Sequence, residues 1–498
     1  MTNHPVCYQK ILKRTREISL LSSASKALEW DQSTYMPPRA LAFRAEQLAY
    51  LSGRAHRLFT AGAVGDLISG CEQLGRAADS PEGANVREWR RHYDRSTKLP
   101  QSFVVKFERA KAISHEAWRT AREQSKFKVF KPHLTKIVAM VRQMADLLGY
   151  QGSPYDALLE AYEPGVTTAH ISQLFAELRP AIVAILAPAV ARSAALPANL
   201  LQGHYPVAAQ QAFNRRVAEA IGFDFTAGRI DTTTHPFCST IGADDCRLTT
   251  RYKETDFTES LYSILHEAGH GLYEQGLSPE HYGTPMGNAV SLGIHESQSR
   301  LWENHVGRSR TFWEYWHPIA CEYFPDLKST TPEQIHDAVN RVRLSFIRVD
   351  ADQVSYDLHV MLRFEIEVKL VTGELNVADV PAYWNEQFEK MSGLKVKNDS
   401  EGCLQDVHWS FGGIGYFPTY TLGNLNAAQL MQRARQDHPA LTAELSQGNY
   451  QTLLSWLREK VHKPGSLYRP PELMQRVTGE PTSIRHHLEH LRQKFISP

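Results

Sequence analysis

Residues 266–270 read His266-Glu267-Ala268-Gly269-His270, within the stretch FTESLYSILHEAGHGLYEQG at 257–276. An α-helix turns once every 3.6 residues, so positions i and i+4 lie on one face, where two imidazoles can hold one metal ion. Glu267 lies beside this pair and can reach a water molecule there without being a ligand itself. The pattern predicts a helix with His266 and His270 as metal ligands and Glu267 as general base.

The flanking sequence indicates where this helix begins and ends. Asp256 and Glu259 have the spacing of a capping box, although Asp replaces the usual Ser or Thr. Gly276 is a natural helix terminator. Between them runs an apolar stripe at helical spacing, formed by Leu261, Leu265, Ala268 and Leu272. We therefore expect one helix over 257–275.

A hydrolytic metal site usually has three protein ligands and one position open to water. The segment 293–300, GIHESQSR, follows a turn and opens a second helical pattern close to the first. Either His295 or Glu296 could face the first helix, and spacing alone leaves that choice open. A set of two histidines and one glutamate would use Glu296.

Helical periodicity dominates the rest of the chain, and strand-like alternation is confined to about 229–234 and 246–252, just before the motif helix. These patterns predict a mainly α fold with a small β-sheet beside that helix. No long linker is present, so one domain over 1–498 is expected. The remaining predicted helices are 8–30, 40–60, 102–125, 132–148, 169–192, 206–221, 294–306, 332–370, 426–436, 450–461 and 482–495. Breaks are expected at 36–38, 153–154, 163–165 and the glycine-rich run 412–423.

Composition excludes several classes of protein. The net charge of +1 offers no strong field for nucleic acid or anionic membranes. The six cysteines are scattered and include no Cys-x-x-Cys pair, which fits a reducing compartment. The apolar stretch 181–191 covers about half a bilayer and contains Pro188. The first 26 residues lack the apolar core of a signal peptide, so we expect a cytoplasmic protein without a membrane span.

Further sequence blocks occur in a fixed order along nearly the whole chain. The blocks are 30–38 (WDQSTYMPP), 44–47 (RAEQ), 87–90 (REWR), 97–100 (TKLP), 155–159 (YDALL), 162–165 (YEPG), 235–237 (HPF), 245–249 (DCRLT), 266–270 (HEAGH), 295–298 (HESQ), 347–352 (IRVDAD) and 402–409 (GCLQDVHW). With these blocks the sequence resembles the M32 family of metallocarboxypeptidases, the thermostable carboxypeptidase Taq group.

The resemblance implies a helical metallopeptidase with a deep central groove, like neurolysin and angiotensin-converting enzyme. It implies Glu296 as the third ligand of one divalent metal per chain, with zinc expected and cobalt as an alternative. It further implies a homodimer that removes single C-terminal residues from peptides with broad preference. Two positions depart from the family pattern: Gln353 stands where glutamate is expected, and Ile414 where phenylalanine is usual. Both departures concern the shape and charge of the substrate pocket.

A carboxypeptidase must recognise a free terminal carboxylate, and the planar fork of arginine matches that group. Arg348, which lies in a family block on the long helix predicted over 332–370, is the first candidate. Arg247 is the second. The alternative for Arg348 is a structural ion pair with Asp350, Asp352 or another acid.

The tetrahedral intermediate of peptide hydrolysis needs positive or hydrogen-bonding groups opposite the metal. Candidates for that role are His235, His408, Tyr416 and Tyr420, and the alternative for the tyrosines is ordinary aromatic packing. Asp406 or Asp245 could orient a metal-binding histidine, and sequence does not choose between them. Cys238 and Cys246 are interpreted as buried small apolar residues.

Two other functions compete with this prediction. An endo-oligopeptidase or dipeptidyl carboxypeptidase on the same scaffold would release larger products than single amino acids. A catalytically silent peptide-binding protein with a structural metal would not need Glu267 beside both histidines.

Overall fold

The computed structural model describes residues 4–496, and the ends of the predicted domain, 1–3 and 497–498, lie outside the described residues. The described chain is mainly α-helical, which confirms the predicted fold class. Its α-helices are α1 Val6–Thr34, α2 Leu41–Phe59, α3 Gly62–Glu72, α4 Pro81–Lys98, α5 Gln101–Gln124, α6 Phe127–Leu148, α7 Pro154–Leu159, α8 Thr168–Ala194, α9 Val207–Ala220, α10 Phe257–Gly276, α11 Leu292–Arg300, α12 Arg310–Tyr323, α13 Pro332–Val339, α14 Tyr356–Thr372, α15 Val380–Ser392, α16 Pro418–Asp437, α17 Leu441–Ser446, α18 Gln451–Leu457, α19 Pro470–Thr478 and α20 Ile484–Phe495.

Most of the helices predicted from periodicity are present with similar bounds, but several shorter ones were missed. Two of the missed helices, α4 and α12, carry start signals that could have revealed them. Ser80 and Ser309 each cap the helix that follows by accepting a hydrogen bond from a backbone N–H. Pro81 occupies the first position of α4, where its missing N–H costs nothing.

The predicted long helix over 332–370 is wrong. Helix α13 ends at Val339 and α14 begins at Tyr356, and Arg348 lies in a short 3₁₀ turn between them, Arg348–Asp350. Tertiary contacts override the helical periodicity here, because the Arg348 N–H donates to Gln405 Oε1 at 2.7 Å. Asp352 then accepts from the backbone N–H groups of the next turn, which starts the chain into α14.

The predicted break over 412–423 is also too long. Helix α16 begins at Pro418, so the helix predicted over 426–436 starts eight residues earlier. The break itself contains Gly415 at φ 98°, a left-handed conformation that favours glycine. A side chain at Gly415 would also approach the Leu158 backbone to 3.0 Å.

The small sheet has three strands, β1 Gly228–Thr232, β2 Cys238–Gly242 and β3 Asp245–Thr250. Its order is β1-β3-β2, with β1 parallel and β2 antiparallel to β3. The sheet packs on α10, where a Cβ at Gly271 would lie 3.1 Å from the Leu248 side chain. The predicted sheet beside the motif helix is therefore confirmed, with β2 as an additional strand.

The hydrophobic interior consists of two large clusters and a smaller one under α1, α3 and α4. The first cluster packs α5 to α8 against α14, α15 and α20. The second surrounds α10 with α9, α12 and the C-terminal helices. Helix α16 joins them, because Leu425 belongs to the first cluster and Leu430 to the second. The motif helix therefore lies within the second cluster, and its neighbour α11 packs against α16, which joins the two clusters.

In residues 4–496, α8 is the one helix long and apolar enough to cross a membrane by length and composition. Its residues Ile171, Leu178 and Ile182 are fully buried in the first hydrophobic cluster. A core helix of a soluble protein passes the same test, so the length and composition of α8 are weak evidence for a span.

Candidate metal centre

Helix α10 is capped at its N-terminus and stopped at its C-terminus as the sequence predicts. Asp256 accepts a hydrogen bond from the Thr258 N–H at 2.9 Å. The reciprocal half of the capping box is absent, because the Glu259 carboxylate pairs with Arg251 and with Lys253. The last residue, Gly276, lies against His462, so close that a Cβ would be 2.3 Å from its Nδ1 atom.

Two glycines allow three helices to approach closely around the motif. A Cβ at Gly269 of α10 would lie 2.6 Å from the Gln298 carbonyl of α11. A Cβ at Gly423 of α16 would lie 2.4 Å from Glu296 Cγ. Side chains at either position would push the helices apart. The absence of side chains at Gly269 and Gly423 thus allows Glu296 to lie close to the two motif histidines.

The structure brings together the three residues proposed from sequence as metal ligands. Glu296 Oε2 lies 3.6 Å from His266 Nε2 and 3.4 Å from His270 Nε2. One ligand atom from each residue lies within 4.8 Å of the other two. Among the described residues this is the one such group of three His, Cys, Asp or Glu. Two imidazole nitrogens and one carboxylate are the donor set of many catalytic zinc sites, so the residues present fit a divalent metal.

Glu303 orients His266 from behind. Its Oε2 atom is 3.0 Å from His266 Nδ1, which with a neutral ring must donate the proton. His266 Nε2 is then a free lone pair on the side that faces Glu296. A carboxylate behind a ligating histidine fixes the tautomer and increases the basicity of the ring.

A chain of two contacts orients His270 in the same way. His295 Nε2 lies 2.8 Å from Glu274 Oε1, and His295 Nδ1 lies 2.6 Å from His270 Nδ1. With neutral rings, His295 must donate to the Glu274 carboxylate and accept from His270. The Nε2 atom of His270 then keeps its lone pair toward Glu296. His295 therefore supports a ligand, and Glu296 completes the three-residue group.

The carboxylate of Glu296 is held in its charged form. Burial raises the pKa of Glu296, but Arg300 and the two motif histidines outweigh burial and hold this pKa well below its ordinary value. Arg300 Nε donates to Glu296 Oε1 at 2.7 Å, and Ser299 Oγ donates to Oε2 at 3.0 Å. An ionised carboxylate at this position is the form that binds a cation.

Glu267 differs from the other carboxylates of the centre. It is 7% exposed, and no protein group in residues 4–496 donates a hydrogen bond to it. Burial raises the pKa of Glu267 to about 7, with His266 opposing and Glu296 adding to the shift. A carboxyl group without partners beside the two histidines can accept and release a proton.

Arg348 lies in a buried cluster with another arginine and one aspartate. Its Nε and Nη2 atoms donate to Asp406 Oδ1 at 3.0 and 2.9 Å, and Nη1 donates to the Tyr356 hydroxyl at 2.8 Å. Arg363 Nε donates to the second oxygen of Asp406 at 2.6 Å. The predicted alternative for Arg348, an ion pair with an acid, is present, and the acid is Asp406. Asp406 therefore does not contact a metal-binding histidine.

Arg247 and Asp245 pair with each other on β3. Arg247 Nε and Nη2 donate to the two Asp245 oxygens, each at 2.8 Å. The guanidinium lies 4.5 Å from the centre of the Trp30 ring. Asp245, the other predicted orienting acid, thus supports Arg247 rather than a histidine. His235 is exposed in the segment between β1 and β2.

The other three substrate-binding candidates lie together. His408 Nε2 is 3.3 Å from the Tyr420 hydroxyl, and the Tyr416 and Tyr420 rings are 5.3 Å apart. The Tyr420 ring is also 4.8 Å from the guanidinium carbon of Arg348. Burial raises the pKa of both tyrosines, and the charge of Glu296 adds to the shift. Tyr420 therefore contacts the arginine cluster, and the charge of Glu296 acts on both tyrosines.

The two positions that depart from the family pattern, Gln353 and Ile414, both contact other parts of the chain. Gln353 donates to Asn340 at 3.1 Å and accepts from Lys494 at 3.3 Å. Ile414 is 2% exposed in the first hydrophobic cluster.

All six cysteines are free. Cys246 is buried and Cys238 partly buried, with their sulfur atoms 3.6 Å apart.

Sequence reasoning missed Glu303, Glu274 and Arg363. A signal existed for Glu303, because Glu296, Arg300 and Glu303 are spaced i, i+4 and i+7 and so share a helix face. That face continues through the π-helical turn Leu301–Gly307 that follows α11. Arg363 had no comparable signal, because its partner Asp406 is 43 residues away in the chain.

Comparison with known proteins agrees with this geometry. The family model described as carboxypeptidase Taq (M32) metallopeptidase matches residues 10–495. Thermostable carboxypeptidase 1 of Thermus thermophilus is 41% identical over 98% of each chain. The crystal structure of the M32 carboxypeptidase of Deinococcus radiodurans superposes with a TM-score of 0.95 at 38% identity, over 99% of each chain.

A Pyrococcus furiosus carboxypeptidase structure is similar over 100% of each chain, with a TM-score of 0.96 and 33% identity. These matches extend over the whole fold, including the helices that carry the two histidines and Glu296. The chain therefore belongs to the carboxypeptidase Taq (M32) family and is a metal-dependent carboxypeptidase.

Proposed function

We propose that this enzyme removes single amino acids from the C-termini of peptides with broad preference, and that Glu267 is its general base. The metal, zinc with cobalt as an alternative, would be held by His266, His270 and Glu296. One observation carries the assignment of the base. Glu267 makes no hydrogen bond within the described chain, whereas Glu296, Glu303 and Glu274 are each engaged with a base or a cation.

The catalytic roles follow from the positions of these side chains. When bound, the metal supplies Lewis acidity, which lowers the pKa of water toward neutrality and polarises the scissile carbonyl. A Glu267 carboxylate oxygen takes the proton of the attacking water and passes it to the amide nitrogen that leaves. Glu303 and His295 hold the histidine rings in place, and Arg300 keeps Glu296 ionised.

We propose that Arg348 binds the terminal carboxylate of the substrate, and Arg247 is the second candidate for this role. The support is charge balance, because Arg348 and Arg363 share a single carboxylate, Asp406, in a buried site. One nitrogen of the buried Arg363 guanidinium, Nη2, also lacks a partner. A cluster with one net positive charge is matched by a substrate carboxylate. Arg247 has a full bidentate partner in Asp245 and therefore less charge to offer.

His408, Tyr416, Tyr420 and His235 are proposed to hydrogen-bond the substrate or the tetrahedral intermediate. Support is strongest for the tyrosines, because Tyr420 contacts Arg348 and the Tyr416 ring lies 5.3 Å from the Tyr420 ring. His235 has the least support because it is exposed and, in the described part of the chain, makes no hydrogen bond or ring contact with this cluster. The homodimer, the cytoplasmic location, the absence of nucleic-acid and membrane partners, and the single domain over 1–498 stay predictions.

Substitution of Glu267 by Gln tests the proposed base. Glu267→Gln should keep the metal and lose about 10²- to 10⁴-fold in kcat, because the amide cannot take the proton. Metal content and peptide turnover are measured on the same samples. Glu280→Gln is the matched control, because Glu280 is exposed in the 3₁₀ turn Pro279–His281 that follows α10. Near-normal turnover by a metal-loaded Glu267→Gln enzyme would exclude this base.

Product analysis tests the exopeptidase reaction itself. A defined peptide is digested with and without a chelator, and the products are identified by mass spectrometry. We expect a ladder that loses one C-terminal residue at a time and stops when the chelator is added. Dipeptides or internal fragments as primary products would instead indicate a dipeptidyl carboxypeptidase or an endo-oligopeptidase.

A further inference from the structure

The side chain of Glu367 on α14 is fully buried and accepts three hydrogen bonds from neutral donors. Its Oε1 atom accepts from Trp409 Nε1 at 2.8 Å. Its Oε2 atom accepts from the Gly415 N–H at 3.0 Å and from the Tyr155 hydroxyl at 2.7 Å. Burial raises the pKa of Glu367 to about 7, and the three hydrogen bonds oppose this shift. A buried carboxylate is costly unless hydrogen bonds satisfy it, and neither the metal site nor the proposed carboxylate-binding cluster uses this one.

Two of the three donors lie at opposite ends of one loop, residues 408–416, which leads into α16. Trp409 directly follows His408, and Gly415 directly precedes Tyr416. His408 and Tyr416 are the two side chains of this loop proposed to bind the substrate or the tetrahedral intermediate. The buried carboxylate therefore ties to α14 the residue next to each of them.

The contacts that His408 and Tyr416 make themselves do not fix them firmly. His408 Nε2 lies 3.3 Å from the Tyr420 hydroxyl, and His408 Nδ1 is buried without a hydrogen-bond partner in residues 4–496. The Tyr416 ring packs against the rings of Tyr162, His408 and Tyr420, each with its centre 5.3 Å away. A long hydrogen bond and ring packing leave the positions of both side chains dependent on the backbone that carries them.

We propose that Glu367 is a positioning residue for substrate binding: it fixes the loop 408–416 and thereby the places of His408 and Tyr416. This inference rests on the proposed role of those two side chains. Glu367 itself touches neither the metal ligands nor the substrate in this proposal and acts only through the loop.

Substitution of Glu367 by Gln provides the sharpest test. The amide has one acceptor oxygen and one NH₂ group, which only donates. In one orientation the NH₂ group faces Trp409 Nε1, and in the other it faces the Gly415 N–H, so one loop bond is lost either way. Tyr155→Phe is the matched comparison, because it removes the third donor and leaves both loop bonds in place.

Hydrogen exchange on the metal-loaded enzyme measures the positioning directly. In Glu367→Gln the amides of 408–417 should exchange about 5- to 150-fold faster, whereas those of 257–300, which include the proposed ligands, should be unchanged. Tyr155→Phe should exchange like the wild type in both segments. Glu365→Gln is a further control on α14, because Glu365 is partly exposed and pairs with Arg179 at 2.9 Å.

Peptide turnover distinguishes positioning from a general loss of stability. Glu367→Gln should keep its metal and lose about 10- to 100-fold in kcat/KM, because a small displacement of an active-site group has an effect of this size. Tyr416→Phe should also lower kcat/KM. The double variant should lose less than the product of the two single losses, because Glu367 acts in part through Tyr416.

Three outcomes would overturn the proposal: unchanged exchange of 408–417 in Glu367→Gln, an equal rise of exchange in 257–300, or single losses that multiply in the double variant. Failure of the proposed function gives a different result. Normal turnover by Tyr416→Phe, beside faster loop exchange and lower kcat/KM in Glu367→Gln, would remove Tyr416 from the proposed function and leave Glu367 acting through His408.

A second variant keeps the test decisive if Glu367→Gln does not fold. Trp409→Phe removes the Nε1 donor and keeps an aromatic ring in the loop. Faster exchange of 408–417 in Trp409→Phe than in Tyr155→Phe would support the proposal, and equal exchange in the two variants would overturn it.

Discussion

Two regions of this enzyme are built in opposite ways: the metal half, which contains the proposed ligands, and the substrate half, which contains the arginine proposed to bind the substrate. The three proposed ligands lie within residues 266–296, on two consecutive helices that touch through Gly269. The substrate half joins Arg348, Arg363 and Asp406, which come from a 3₁₀ turn, from α14 and from the segment before α16. Helix geometry positions the first set, whereas a buried ion-pair network positions the second.

The two halves also differ in how their charges are balanced. Around the metal centre, Glu296, Glu303 and Glu274 each have a histidine or arginine partner, whereas Glu267 has no hydrogen-bond partner within residues 4–496. In the substrate half two arginines share one aspartate. The metal half should therefore lose its metal when a ligand is removed. The substrate half should lose stability or substrate recognition when its charge balance changes.

The largest expected effect is loss of metal on removal of a ligand. His266→Ala, His270→Ala and Glu296→Ala should each empty the site, whereas His295→Ala removes only an orienting contact and should cost about 10- to 100-fold in metal affinity. Metal content after dialysis against a defined metal buffer distinguishes the two classes. A fully loaded Glu296→Ala enzyme together with an empty His295→Ala enzyme would reverse the assignment of the third ligand.

Next in size is the loss of Asp406. Asp406→Asn leaves two buried guanidinium groups without their anion and should lower the free energy of unfolding by about 3–5 kcal/mol. Arg363 and Arg348 outweigh burial and hold the pKa of Asp406 well below its ordinary value, so its stabilisation is present above the unfolded pKa of about 4 and is lost at lower pH.

The difference in stability between the wild type and Asp406→Asn should therefore shrink as the pH falls below about 4. Denaturant unfolding at several pH values measures it, with the exposed Asp350→Asn as control. A difference that stays constant down to the acid limit would contradict the ion-pair account.

A smaller effect is expected on substrate recognition. Arg348→Ala should lower kcat/KM for peptides with a free C-terminus about 10- to 200-fold, the loss of one charge-assisted contact. The wild type should cleave peptides with a free C-terminus much faster than amidated ones. This ratio should be smaller for Arg348→Ala, because the activity of the variant on free acids has fallen. Arg348→Lys should restore little of the lost kcat/KM, since lysine keeps the charge without the planar fork.

Arg247→Ala is the matched comparison for Arg348→Ala. It should keep most of the discrimination between free and amidated peptides, because Arg247 is fully paired with Asp245. If Arg348→Ala still rejects amidated peptides as the wild type does while Arg247→Ala loses that ability, the two roles must be exchanged.

The last expected effect is on the pH dependence of stability and concerns Glu163, which accepts a hydrogen bond from the Gly293 N–H at the start of α11. Burial raises the pKa of Glu163 to about 8, so the folded state keeps a proton that the unfolded chain loses above about pH 4.5. This group therefore destabilises the fold as pH rises from about 4.5 to 8, by up to about 1.4 kcal/mol per pH unit.

Glu163→Gln removes the titration and keeps an acceptor for Gly293. Its free energy of unfolding should fall less steeply than that of the wild type between pH 5 and pH 8. Parallel profiles for the two proteins would show that Glu163 does not carry this proton linkage.

Where sequence reasoning failed, long-range contacts decided the structure. The stretch 340–355 has apolar residues at helical spacing, yet Gln405 and Asp406 hold Arg348 in a turn. Sequence offers Asp406 or Asp245 as the acid that orients a histidine, but Glu303 occupies that place behind His266. The turn at Arg348 does not follow from local pattern, because its partner Asp406 is 58 residues away. Local pattern places Glu303 only on the helix face of Glu296, and its contact with His266, 37 residues away, depends on tertiary packing.

The sequence by itself determined the helix of 257–276, the two histidines on one face, the glutamate between them and the small sheet beside them, because helical and strand periodicity are local properties. Local pattern leaves the choice between His295 and Glu296 open, and only the tertiary structure favours Glu296 as the proposed third ligand. It placed Glu296 under Gly423 with its carboxylate at both imidazoles, and turned His295 toward Glu274. That choice depends on how three helices pack, which no single segment specifies.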